Sequence, residues 1–457
     1  MLRKLIQTLR TPWRKDRASE PTSPAPQGAI HIPRQAISRA AVHVVERLQT
    51  AGYEAYVVGG CVRDLLLGLS PKDYDVATNA TPEQVRNEFR GARIIGRRFR
   101  LVHVRMGREL IEVATFRAHH EEDDDELTDA QSARNASGRL LRDNVFGSIE
   151  DDAQRRDFSI NAFYYDPVKD EILDFNKGIA DIQSRQLRLI GDPRQRYLED
   201  PVRMLRAIRF AAKLDFALEP ETAAPIRELA PLLRDIPSAR LYDEAIKLFL
   251  SGQALRTFEL LQEYGLFEPL FPQTAESLKR QPVYASKLIR EALENTDIRV
   301  REGRPVTPAF LFAALLWPAL PHRAALLRDK GVAAIPAFQE AAHDVVWQQC
   351  QRIAIPKRFT MPMREIWDMQ ERLPRRNGRR ADQLLENPRF RAAYDFLLLR
   401  ESAGERTNNL GDWWTAYQTA NESQRREMIR QLPSKDGSKK PRRRRRSGAP
   451  SKGPQND

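Results

Sequence analysis

The sequence predicts an α+β protein, with a mixed α/β head followed by all-α neck and body domains. Two observations support this prediction. Helical and strand-like patterns alternate up to about residue 190. From Asp200 onward strand signals nearly vanish, and apolar residues recur at helical spacing to about Gln431. Hydrophobic residues make up 41% of the 457 residues, which suffices for buried cores in roughly two to four domains.

Composition excludes two classes of protein. The chain has two cysteines, Cys61 and Cys350, so it is not a disulfide-stapled secreted scaffold, and a reducing compartment such as the cytoplasm is expected. Its longest apolar run, Ala309–Leu320, contains Pro318 and is far shorter than the ~20 residues of a membrane-spanning helix. The sequence therefore predicts that the protein is not integral to a membrane.

The net charge of +13 is concentrated at the two ends. Residues 434–457 carry +7 and residues 1–28 carry +4, which leaves +2 for residues 29–433. Basic extensions of this kind bind polyanions, either nucleic acid or an anionic membrane surface. We expect a disordered tail at 434–457 that adds salt-sensitive affinity for RNA. At Met1–Arg17 a disordered basic terminus is favoured over a short amphipathic helix that lies on the inner face of the membrane.

The head is predicted to begin with an amphipathic helix that Gly52 ends. The expected elements are a helix from Ile37, a strand at Tyr56–Val58, a helix at Val62–Leu67, a strand at Tyr74–Ala77, a helix that opens at Thr81, and a hairpin of Leu101–Met106 and Glu109–Phe116. Thr81 with Pro82 and Gln84 is a capping-box pattern with proline at the first helical position. Residues 121–139 hold a run of acidic residues and are expected to form a solvated loop.

A strand that ends in Gly59-Gly60 and turns into a helix is the first candidate ligand site. Glycine lets backbone N–H groups approach a phosphate closely, and the guanidinium of Arg63 on the first helical turn can fork onto phosphate oxygens. The spacing matches neither the dinucleotide-binding fingerprint nor the P-loop. A tight turn without a ligand is the structural alternative.

Asp73 and Asp75 follow shortly after this turn, and in a strand they lie on one face with Tyr74 on the other. Two carboxylates crowded on one face repel each other unless a cation lies between them, and Mg²⁺ prefers such oxygen ligands together with substrate phosphates. A site of this kind can position an attacking oxygen and neutralise a leaving pyrophosphate. Alone the pair is a weak signal, because turns and exposed strands often contain it. After a Gly-Gly-x-x-Arg turn it is strong.

These motifs resemble a known family. VVGGCVRDLLLG at 57–68 and KDYDVATNATPEQV at 72–85 look like the class II nucleotidyltransferases of the polymerase β superfamily, which comprise bacterial poly(A) polymerases and CCA-adding tRNA enzymes. Further matches follow in the same order: EVATFR at Glu112–Arg117, RRDFSINA at Arg155–Ala162 and EDPVRMLRAIRFAAKL at Glu199–Leu214. The shared order of several motifs makes the resemblance highly specific.

Within this family the closer resemblance is to the bacterial poly(A) polymerases. It rests on LLRDNVFGSIEDDAQRRDFS at Leu140–Ser159, RPVTPAFLFAALLW at Arg304–Trp317, IPKRFT at Ile355–Thr360 and NPRFRAAYDFLLLR at Asn387–Arg400. It covers about residues 31–433, with a basic tail of the same kind. Cys61 stands where this branch is expected to have a third glycine, a small departure that puts little in doubt.

The resemblance implies a two-metal mechanism. Asp73 and Asp75 would hold two Mg²⁺ ions, and the glycine turn and Arg63 would hold the triphosphate of ATP. The 3′-hydroxyl of RNA would attack the α-phosphate, and pyrophosphate would leave. Glu112, on the later hairpin, is a further carboxylate for the metals or an ordinary surface residue of a strand, and we weigh the two evenly.

The RRDFSINA motif supplies further site residues by the same resemblance. Asp157 resembles the third active-site aspartate of poly(A) polymerases, and its structural alternative is a cap of the helix that begins at Phe158. Arg155 and Arg156 contact triphosphate or line a solvated face. Asn161 is placed with the nucleotide-binding residues.

Asp200 precedes Pro201, so it is placed to cap the next helix. Asp200 and Arg203 also share a helical face, where a carboxylate can accept from the N6 amino group of adenine and a guanidinium can donate to N1. The resemblance implies that this motif, with Arg206, selects the incoming nucleotide without a template, and we favour that role over capping alone. The same motif serves CTP and ATP in CCA-adding enzymes, so it does not decide the product.

The all-α half contains a basic patch and a pair of tryptophans. The four arginines of RRNGRR at 375–380 could follow an RNA backbone. Trp413 and Trp414 could stack on bases, but their helical spacing favours a place in the core.

We therefore predict template-independent transfer of AMP from ATP to RNA 3′ ends, on mRNA, small RNA or tRNA, by a cytoplasmic monomer whose tails promote RNA turnover. The alternatives are a CCA-adding tRNA enzyme and a non-enzymatic RNA-binding protein on a decayed transferase fold.

The expected domains are a basic extension at 1–30, a catalytic head at 31–190, a neck with the nucleotide-selecting motif at 191–255, an RNA-binding body at 256–433 and a tail at 434–457.

Overall fold

The computed structural model describes most of the chain. The described residues are 32–96, 100–118 and 146–432, together with the backbone of 132–134 and 140–143. The predicted terminal segments Met1–Arg17 and 434–457 lie outside the described residues, as does most of the predicted acidic loop.

The chain divides into two compact units. The first comprises Met1–Ile236 and Arg256–Pro269, and the second comprises Pro237–Leu255 and Leu270–Asp457. All the strands that the structure describes belong to the first unit, and the described part of the second unit is helical. The predicted α+β fold is therefore confirmed, whereas the finer boundaries of head, neck and body stay a prediction.

The first unit is built on a seven-stranded mixed sheet with the order β3-β4-β5-β2-β1-β8-β9. The strands are β1 Ala55–Val58, β2 Asp75–Thr78, β3 Arg93–Ile95, β4 Leu101–Met106, β5 Glu109–Thr115, β6 Ser132–Arg134, β7 Leu140–Asp143, β8 Phe163–Asp166, β9 Glu171–Asp174, β10 Gln186–Leu187 and β11 Ala217–Leu218. β2 and β5 are parallel, and the other neighbouring pairs of this sheet are antiparallel. Because β1 and β2 are antiparallel neighbours, the glycine turn at the end of β1 lies next to the aspartates at the start of β2.

Helices flank the strands of the first unit and continue into the second. Those up to residue 229 are α1 Arg39–Thr50, α2 Gly60–Leu66, α3 Pro82–Glu88, α4 Ile149–Arg155, α5 Gly178–Ser184, α6 Pro193–Glu199, α7 Val202–Leu214, α8 Pro220–Ala223 and α9 Ile226–Leu229. Those that follow are α10 Ser238–Phe249, α11 Ala254–Glu263, α12 Phe267–Leu270, α13 Pro272–Arg280, α14 Pro282–Arg301, α15 Pro308–Leu316, α16 Leu320–Asp329, α17 Ala334–Arg352, α18 Lys357–Arg372, α19 Arg380–Leu385, α20 Phe390–Ser402, α21 Leu410–Thr419 and α22 Glu422–Arg430.

Local signals explain where elements of the first unit begin. The hydroxyl of Ser38 accepts hydrogen bonds from two backbone N–H groups at the start of α1. At α3 the side chains of Thr81 and Gln84 each bond the backbone N–H of the other, with Pro82 at the first position. The predicted capping box is therefore confirmed. Strand β2 begins at Asp75, one residue later than predicted.

Aromatic side chains form much of the core of the second unit. Trp367 and Trp414 are fully buried, and their indole N–H groups donate to the carbonyl oxygens of Ala313 and Leu373, each at 3.2 Å. A buried indole is stable only when its N–H finds an acceptor, so these bonds fix both rings. Trp413 packs edge to face on Trp414, with ring centroids 4.9 Å apart. The predicted core position is confirmed for Trp414, whereas Trp413 is partly buried at the edge of that core.

One helical stretch, Pro308–Asp329, is long and apolar enough to cross a membrane by length and composition. However, 67% of its most apolar window is buried inside the protein, which is typical of a core helix. This stretch is weak evidence for a membrane span. The membrane-surface helix considered for Met1–Arg17 lies outside the described residues.

Candidate active site

The glycine turn joins β1 to α2. Gly59 has a φ of 78°, a backbone conformation that residues with a side chain rarely adopt. A Cβ atom at this position would lie 3.2 Å from Nη1 of Arg156. Gly60 begins α2, which carries Arg63 on its first turn. Glycine is therefore required at position 59 by the backbone conformation and by the close approach of a guanidinium.

The sheet register places two carboxylates and a histidine side by side. Asp75 on β2 is paired with Glu112 on β5, and Glu112 is paired with His103 on β4. Paired residues on neighbouring strands point to the same face, and Nε2 of His103 lies 3.3 Å from Oε1 of Glu112. Asp73 is exposed and precedes β2, so the predicted alternation along a strand does not place it. The structure thus brings Glu112 beside Asp75, and its role as a metal ligand stays a prediction.

The surroundings of Asp75 disfavour its ionised form. Asp75 is exposed at the start of β2, yet its pKa is raised to about 6, first because nearby protein partly desolvates the carboxyl and then because Glu112 repels the charge. Arg156 opposes this shift and Asp73 adds to it. A cation relieves such crowding, and hard carboxylate oxygens suit Mg²⁺, so the donor set fits a divalent cation. In the parts of the chain that the structure describes, no three His, Cys, Asp or Glu side chains are already gathered as a metal site.

Asn161 links two of the predicted site residues. Its Oδ1 accepts from Nη1 of Arg63 at 2.5 Å, and its Nδ2 donates to Oδ1 of Asp157 at 3.1 Å. Arg63 is only 3% exposed, and its Nε donates to Oδ1 of Asp64 at 2.8 Å. Nη2 of Arg63 donates to the same Asp64 oxygen, and together these bonds fix the orientation of the guanidinium. Arg63, Asn161 and Asp157 therefore form one cluster.

Asp157 is neutralised within this cluster by Arg206. Its Oδ2 accepts from Nε of Arg206 at 2.8 Å and also from Nη2 of the same guanidinium. Burial would raise the pKa of Asp157, but Arg206 and the hydrogen bonds to this carboxylate hold the pKa below its usual value. The backbone N–H of Phe158 donates to Oδ1 at 2.8 Å, but no helix begins at Phe158: a 3₁₀ helix of three residues, Ser159–Asn161, has Phe158 as its N-cap and no side-chain capping bond, so the predicted cap is wrong. The role of Asp157 as a third catalytic aspartate stays a prediction.

Phe210 on α7 is a site residue that sequence reasoning missed. Its ring centroid lies 5.2 Å from Cζ of Arg63, 5.5 Å from that of Arg206 and 4.5 Å from that of Arg209. The ring is 7% exposed, and Phe158 meets it edge to face at 5.7 Å. Cation–π contacts are strongest when they are shielded from water, so this ring helps to hold the guanidinium groups. The spacing of Arg206 and Phe210 on one helix face was a usable signal, but only the fold brings Arg63 to the ring.

Arg156 is held by two residues that the sequence did not single out. Its Nη2 lies 3.1 Å from Oδ2 of Asp152, and its Nε donates to the hydroxyl of Tyr164 at 2.9 Å. That hydroxyl donates to the same Asp152 oxygen at 2.6 Å. The side chain of Arg156 is 23% exposed and paired with Asp152, and its contact with triphosphate stays a prediction. The guanidinium is fixed against the glycine turn.

Arg155 and Arg196 concentrate positive charge next to this cluster. Burial, followed by the guanidinium groups of Arg117, Arg196 and Arg203, lowers the pKa of Arg155 to about 10. Burial and then Arg203 lower the pKa of Arg196 to about 10 as well. Nη2 of Arg196 donates to the carbonyl oxygens of Arg155 and Arg156, each at 2.7 Å. Because these cations repel one another, an anion bound among them would be strongly stabilised.

The predicted nucleotide-selecting pair lies at the start of α7. Nη1 of Arg203 donates to Oε2 of Glu199 and to the carbonyl oxygen of Arg196, both at 2.7 Å. Oδ1 of Asp200 accepts from the backbone N–H of Val202 at 3.2 Å, so the predicted capping contact is present. Glu199, which sequence reasoning did not assign, fixes the guanidinium of Arg203. The side chain of Arg203 is 17% exposed.

Comparison with protein families gives matches along most of the chain. A family described as "Poly A polymerase head domain" matches residues 55–188. One described as "Probable RNA and SrmB-binding site of polymerase A" matches 215–278, and one described as "Polymerase A arginine-rich C-terminus" matches 330–448.

Curated relatives cover nearly the whole chain. It is 50% identical to poly(A) polymerase I of Salmonella typhimurium (strain LT2) over 418 residues, which are 91% of this chain and 89% of the relative. It is 49% identical to poly(A) polymerase I of Haemophilus influenzae (strain Rd) over 398 residues, which are 86% of this chain and 87% of the relative. The CCA-adding enzyme of Lactobacillus helveticus is 34% identical over 248 residues, 53% of this chain and 58% of the relative.

Solved structures of similar fold support the same placement. The Bacillus stearothermophilus CCA-adding enzyme in complex with CTP matches with a TM-score of 0.51 at 29% identity, over 85% of this chain and 80% of that one. A tRNA nucleotidyltransferase complexed with a primer tRNA and an incoming ATP analog matches with a TM-score of 0.56 at 21% identity, over 84% of this chain and 99% of that one. At this identity the match supports only the shared fold. The chain belongs to the bacterial poly(A) polymerase family of nucleotidyltransferases, with the CCA-adding enzymes as more distant relatives.

Proposed function

We propose that this protein transfers AMP from ATP to RNA 3′ ends without a template. The 3′-oxygen of RNA forms a bond to the α-phosphorus, the bond to the β-phosphate oxygen breaks, and pyrophosphate leaves. The observation that carries the proposal is the 50% identity to a poly(A) polymerase over 91% of the chain, against 34% over 53% for a CCA-adding enzyme. The products would promote turnover of mRNA and small RNA in the cytoplasm, because a single-stranded tail offers exonucleases a starting point.

Asp73, Asp75 and Glu112 would hold Mg²⁺ in this reaction. The support is the raised pKa of Asp75, whose charge is opposed by Glu112 and Asp73 until a cation is present. When bound, the ions would neutralise the phosphate charge and hold the RNA 3′-oxygen in position. The chain contributes the register of β2 and β5, which sets Asp75 beside Glu112.

The glycine turn, Arg63, Arg155 and Arg156 would bind the triphosphate. Arg63 is already oriented by Asn161 and Arg156 by Asp152, so ATP binding orders few side chains and loses little entropy. Arg155 gains most from a bound polyphosphate, because its neighbours are other guanidinium groups that repel it.

Asp200 and Arg203 would read the edge of the base. A carboxylate accepts from the exocyclic amino group, and a guanidinium donates to the adjacent ring nitrogen. Cytosine offers the same two groups, so the pair alone does not reject CTP, and selectivity depends on how firmly the pair is held. Glu199 would supply that support, because its carboxylate accepts from Nη1 of Arg203 at 2.7 Å.

Primer extension tests the proposal. The full-length protein with Mg²⁺ receives ATP or CTP, separately and together, with a generic RNA oligonucleotide or a tRNA that lacks its CCA end. We expect a long ladder with ATP on the generic RNA. Addition that occurs only on tRNA, requires CTP and stops after CCA would identify a CCA-adding enzyme instead. RNA binding without any extension would contradict an enzymatic function.

A further inference from the structure

The second unit contains an arginine-rich loop that the proposed reaction does not use. Helix α18 ends at Arg372 and α19 begins at Arg380, and the segment between them contains Arg375, Arg376 and Arg379. No acidic residue falls within this span. We call residues 372–380 the arginine loop.

The arginine loop is anchored on helix α21. Cζ of Arg376 lies 4.7 Å from the ring centroid of Trp413, and that ring is stacked on Tyr417 with centroids 4.7 Å apart and planes 14° apart. Leu373 is fully buried, and its carbonyl oxygen accepts from the indole N–H of Trp414 at 3.2 Å. Burial lowers the pKa of Arg376. Arg376 is therefore an anchor of the loop, and the loop has a defined place on the unit.

The other arginines of the loop face solvent. Arg375, Arg379 and Arg380 are exposed, and among the residues that the structure describes no ion pair joins them to a carboxylate. Several exposed arginines elsewhere in this unit are paired with acids; Arg426, for example, lies 3.3 Å from Glu422. The loop thus presents positive charge that the described part of the unit does not neutralise.

We propose that the arginine loop binds the sugar-phosphate backbone of the RNA substrate. Guanidinium groups without an acidic partner can bind phosphate without first breaking an ion pair, and the release of counterions from RNA drives such binding. The planar fork of arginine matches two phosphate oxygens. Anchoring by Trp413 limits the entropy lost on binding. Backbone contacts carry no base preference, which suits a tail that grows by repeated addition. The inference rests on the proposed function for RNA as the substrate.

The decisive measurement is RNA binding by the full-length triple variant Arg375→Gln, Arg379→Gln and Arg380→Gln. Fluorescence anisotropy with a labelled single-stranded RNA gives Kd at several salt concentrations. We expect an affinity about tenfold lower than wild type at low salt, and a salt slope smaller by about 2, since each phosphate contact on a single strand contributes about 0.7. The corresponding triple lysine variant keeps the charge and should stay within about threefold of wild type.

A matched control removes the same charge elsewhere. Arg391→Gln, Arg426→Gln and Arg430→Gln replace exposed arginines of the second unit that are paired with acids. This variant should bind RNA within about twofold of wild type, because surface ion pairs contribute little. An equal loss in both glutamine variants would show that only net charge matters and would overturn the proposal. Unchanged RNA binding in the loop variant would overturn it as well.

Further readouts separate this inference from its alternatives. The loop variant should melt at the wild-type temperature and keep the wild-type KM for ATP and turnover at saturating RNA, while its KM for RNA rises with Kd. If the loop variant instead loses binding only to anionic phosphatidylglycerol vesicles, the loop is a membrane contact and the proposal is wrong. If the wild-type protein adds no AMP, the proposed function fails, but the comparison of RNA affinities still decides the role of the loop.

Discussion

Two groups of arginines, one in each unit, occupy opposite environments. In the first unit Arg63 and Arg156 are held by acids, an amide and aromatic rings. In the second unit Arg375 and Arg379 are exposed on the arginine loop, with no ion pair to a described residue. A guanidinium that is locked in place can bind one compact ligand in one orientation. An exposed guanidinium can bind a repeating backbone whose position changes after every addition.

The two environments also differ in how much a substitution lowers the stability of the folded protein. A buried guanidinium depends on its partners, because removing one of them leaves an uncompensated charge out of water. The same holds for Asp157, whose side chain is 13% exposed and is neutralised by Arg206. An exposed arginine loses little stability when it is replaced. Variants of the held arginines of the first unit, or of their partners, should therefore change catalysis or stability, whereas variants of the arginine loop should change RNA affinity alone.

The largest expected effect separates chemistry from RNA binding. Asp75→Ala should lower AMP incorporation by about 1000-fold or more, because the divalent cation loses a ligand, while Kd for RNA changes by less than about twofold. Radiolabelled AMP incorporation and RNA anisotropy measure the two. Glu171→Ala, an exposed acid on β9 at the far edge of the sheet, is the control and should be fully active. Near-normal activity of Asp75→Ala would contradict the metal assignment.

The next effect tests whether the arginines of the first unit must be held. Phe210→Leu should lower kcat/KM for ATP by about 10- to 50-fold, because Arg63 and Arg206 lose their aromatic support. Steady-state kinetics against ATP measure this. Phe210→Tyr keeps the ring and should stay within about threefold.

A matched variant separates support from stability in the Phe210 test. Phe216 is also buried, and its ring centroid lies 5.7 Å from Cζ of Arg185, which is not among the predicted nucleotide-binding residues. Phe216→Leu should lower the melting temperature about as much as Phe210→Leu and leave kcat/KM for ATP near wild type. Equal kinetic losses in the two variants would mean that the ring of Phe210 contributes only to folding.

A smaller effect is expected on the choice of nucleotide. Glu199→Gln weakens the bond that fixes Arg203, so the ratio of kcat/KM for ATP to that for CTP should fall by about 5- to 10-fold. Competition between the two nucleotides in primer extension gives this ratio. Glu228→Gln breaks a comparable pair with Arg194 on the exposed surface and should leave the ratio unchanged. An unchanged ratio in Glu199→Gln would show that Arg203 is positioned without it.

The smallest effect concerns the unfavourable negative charge of Asp75 in the metal-free protein. The pKa of Asp75 is raised to about 6 in the folded state, above the ~3.9 of an unfolded chain. The folded state therefore loses stability as pH rises between these values, and the loss is complete above about pH 6. With Mg²⁺ chelated, Asp75→Asn should raise the free energy of unfolding by up to ~1 kcal/mol at pH 7.5, after allowance for solvent screening, and by nothing near pH 4. Urea titration at the two pH values measures this, and a destabilised variant at pH 7.5 would contradict it.

Local sequence was sufficient for the elements that depend on a few neighbouring residues. The capping box of Thr81 and Gln84 lies within one helical turn, so its hydrogen bonds follow from the spacing. The positive φ of Gly59 likewise follows from a strand that must turn at once into a helix. The position of Asp73 could not be obtained in this way, because β2 begins two residues later and strand alternation does not reach it.

Partners far apart in the chain could not be predicted. Nothing near Arg156 in the sequence indicates that Tyr164 would bond both its guanidinium and Asp152. The contact between Arg63 and Phe210 joins α2 to α7, which are far apart in the amino-acid sequence. Such contacts depend on how helices pack against the sheet, and that packing is decided by the whole core rather than by either residue.

The amino-acid sequence by itself determined the fold class, several elements of the head and most of the candidate residues, because turns, caps and periodicity depend on interactions within about one or two helical turns. Only the tertiary structure decided which groups meet. The register of β2 and β5 sets Asp75 beside Glu112, and the packing of α7 sets three guanidinium groups on one ring. The physical reason is that a register or a packing angle is selected by many weak contacts summed over the core, and no single motif contains that sum.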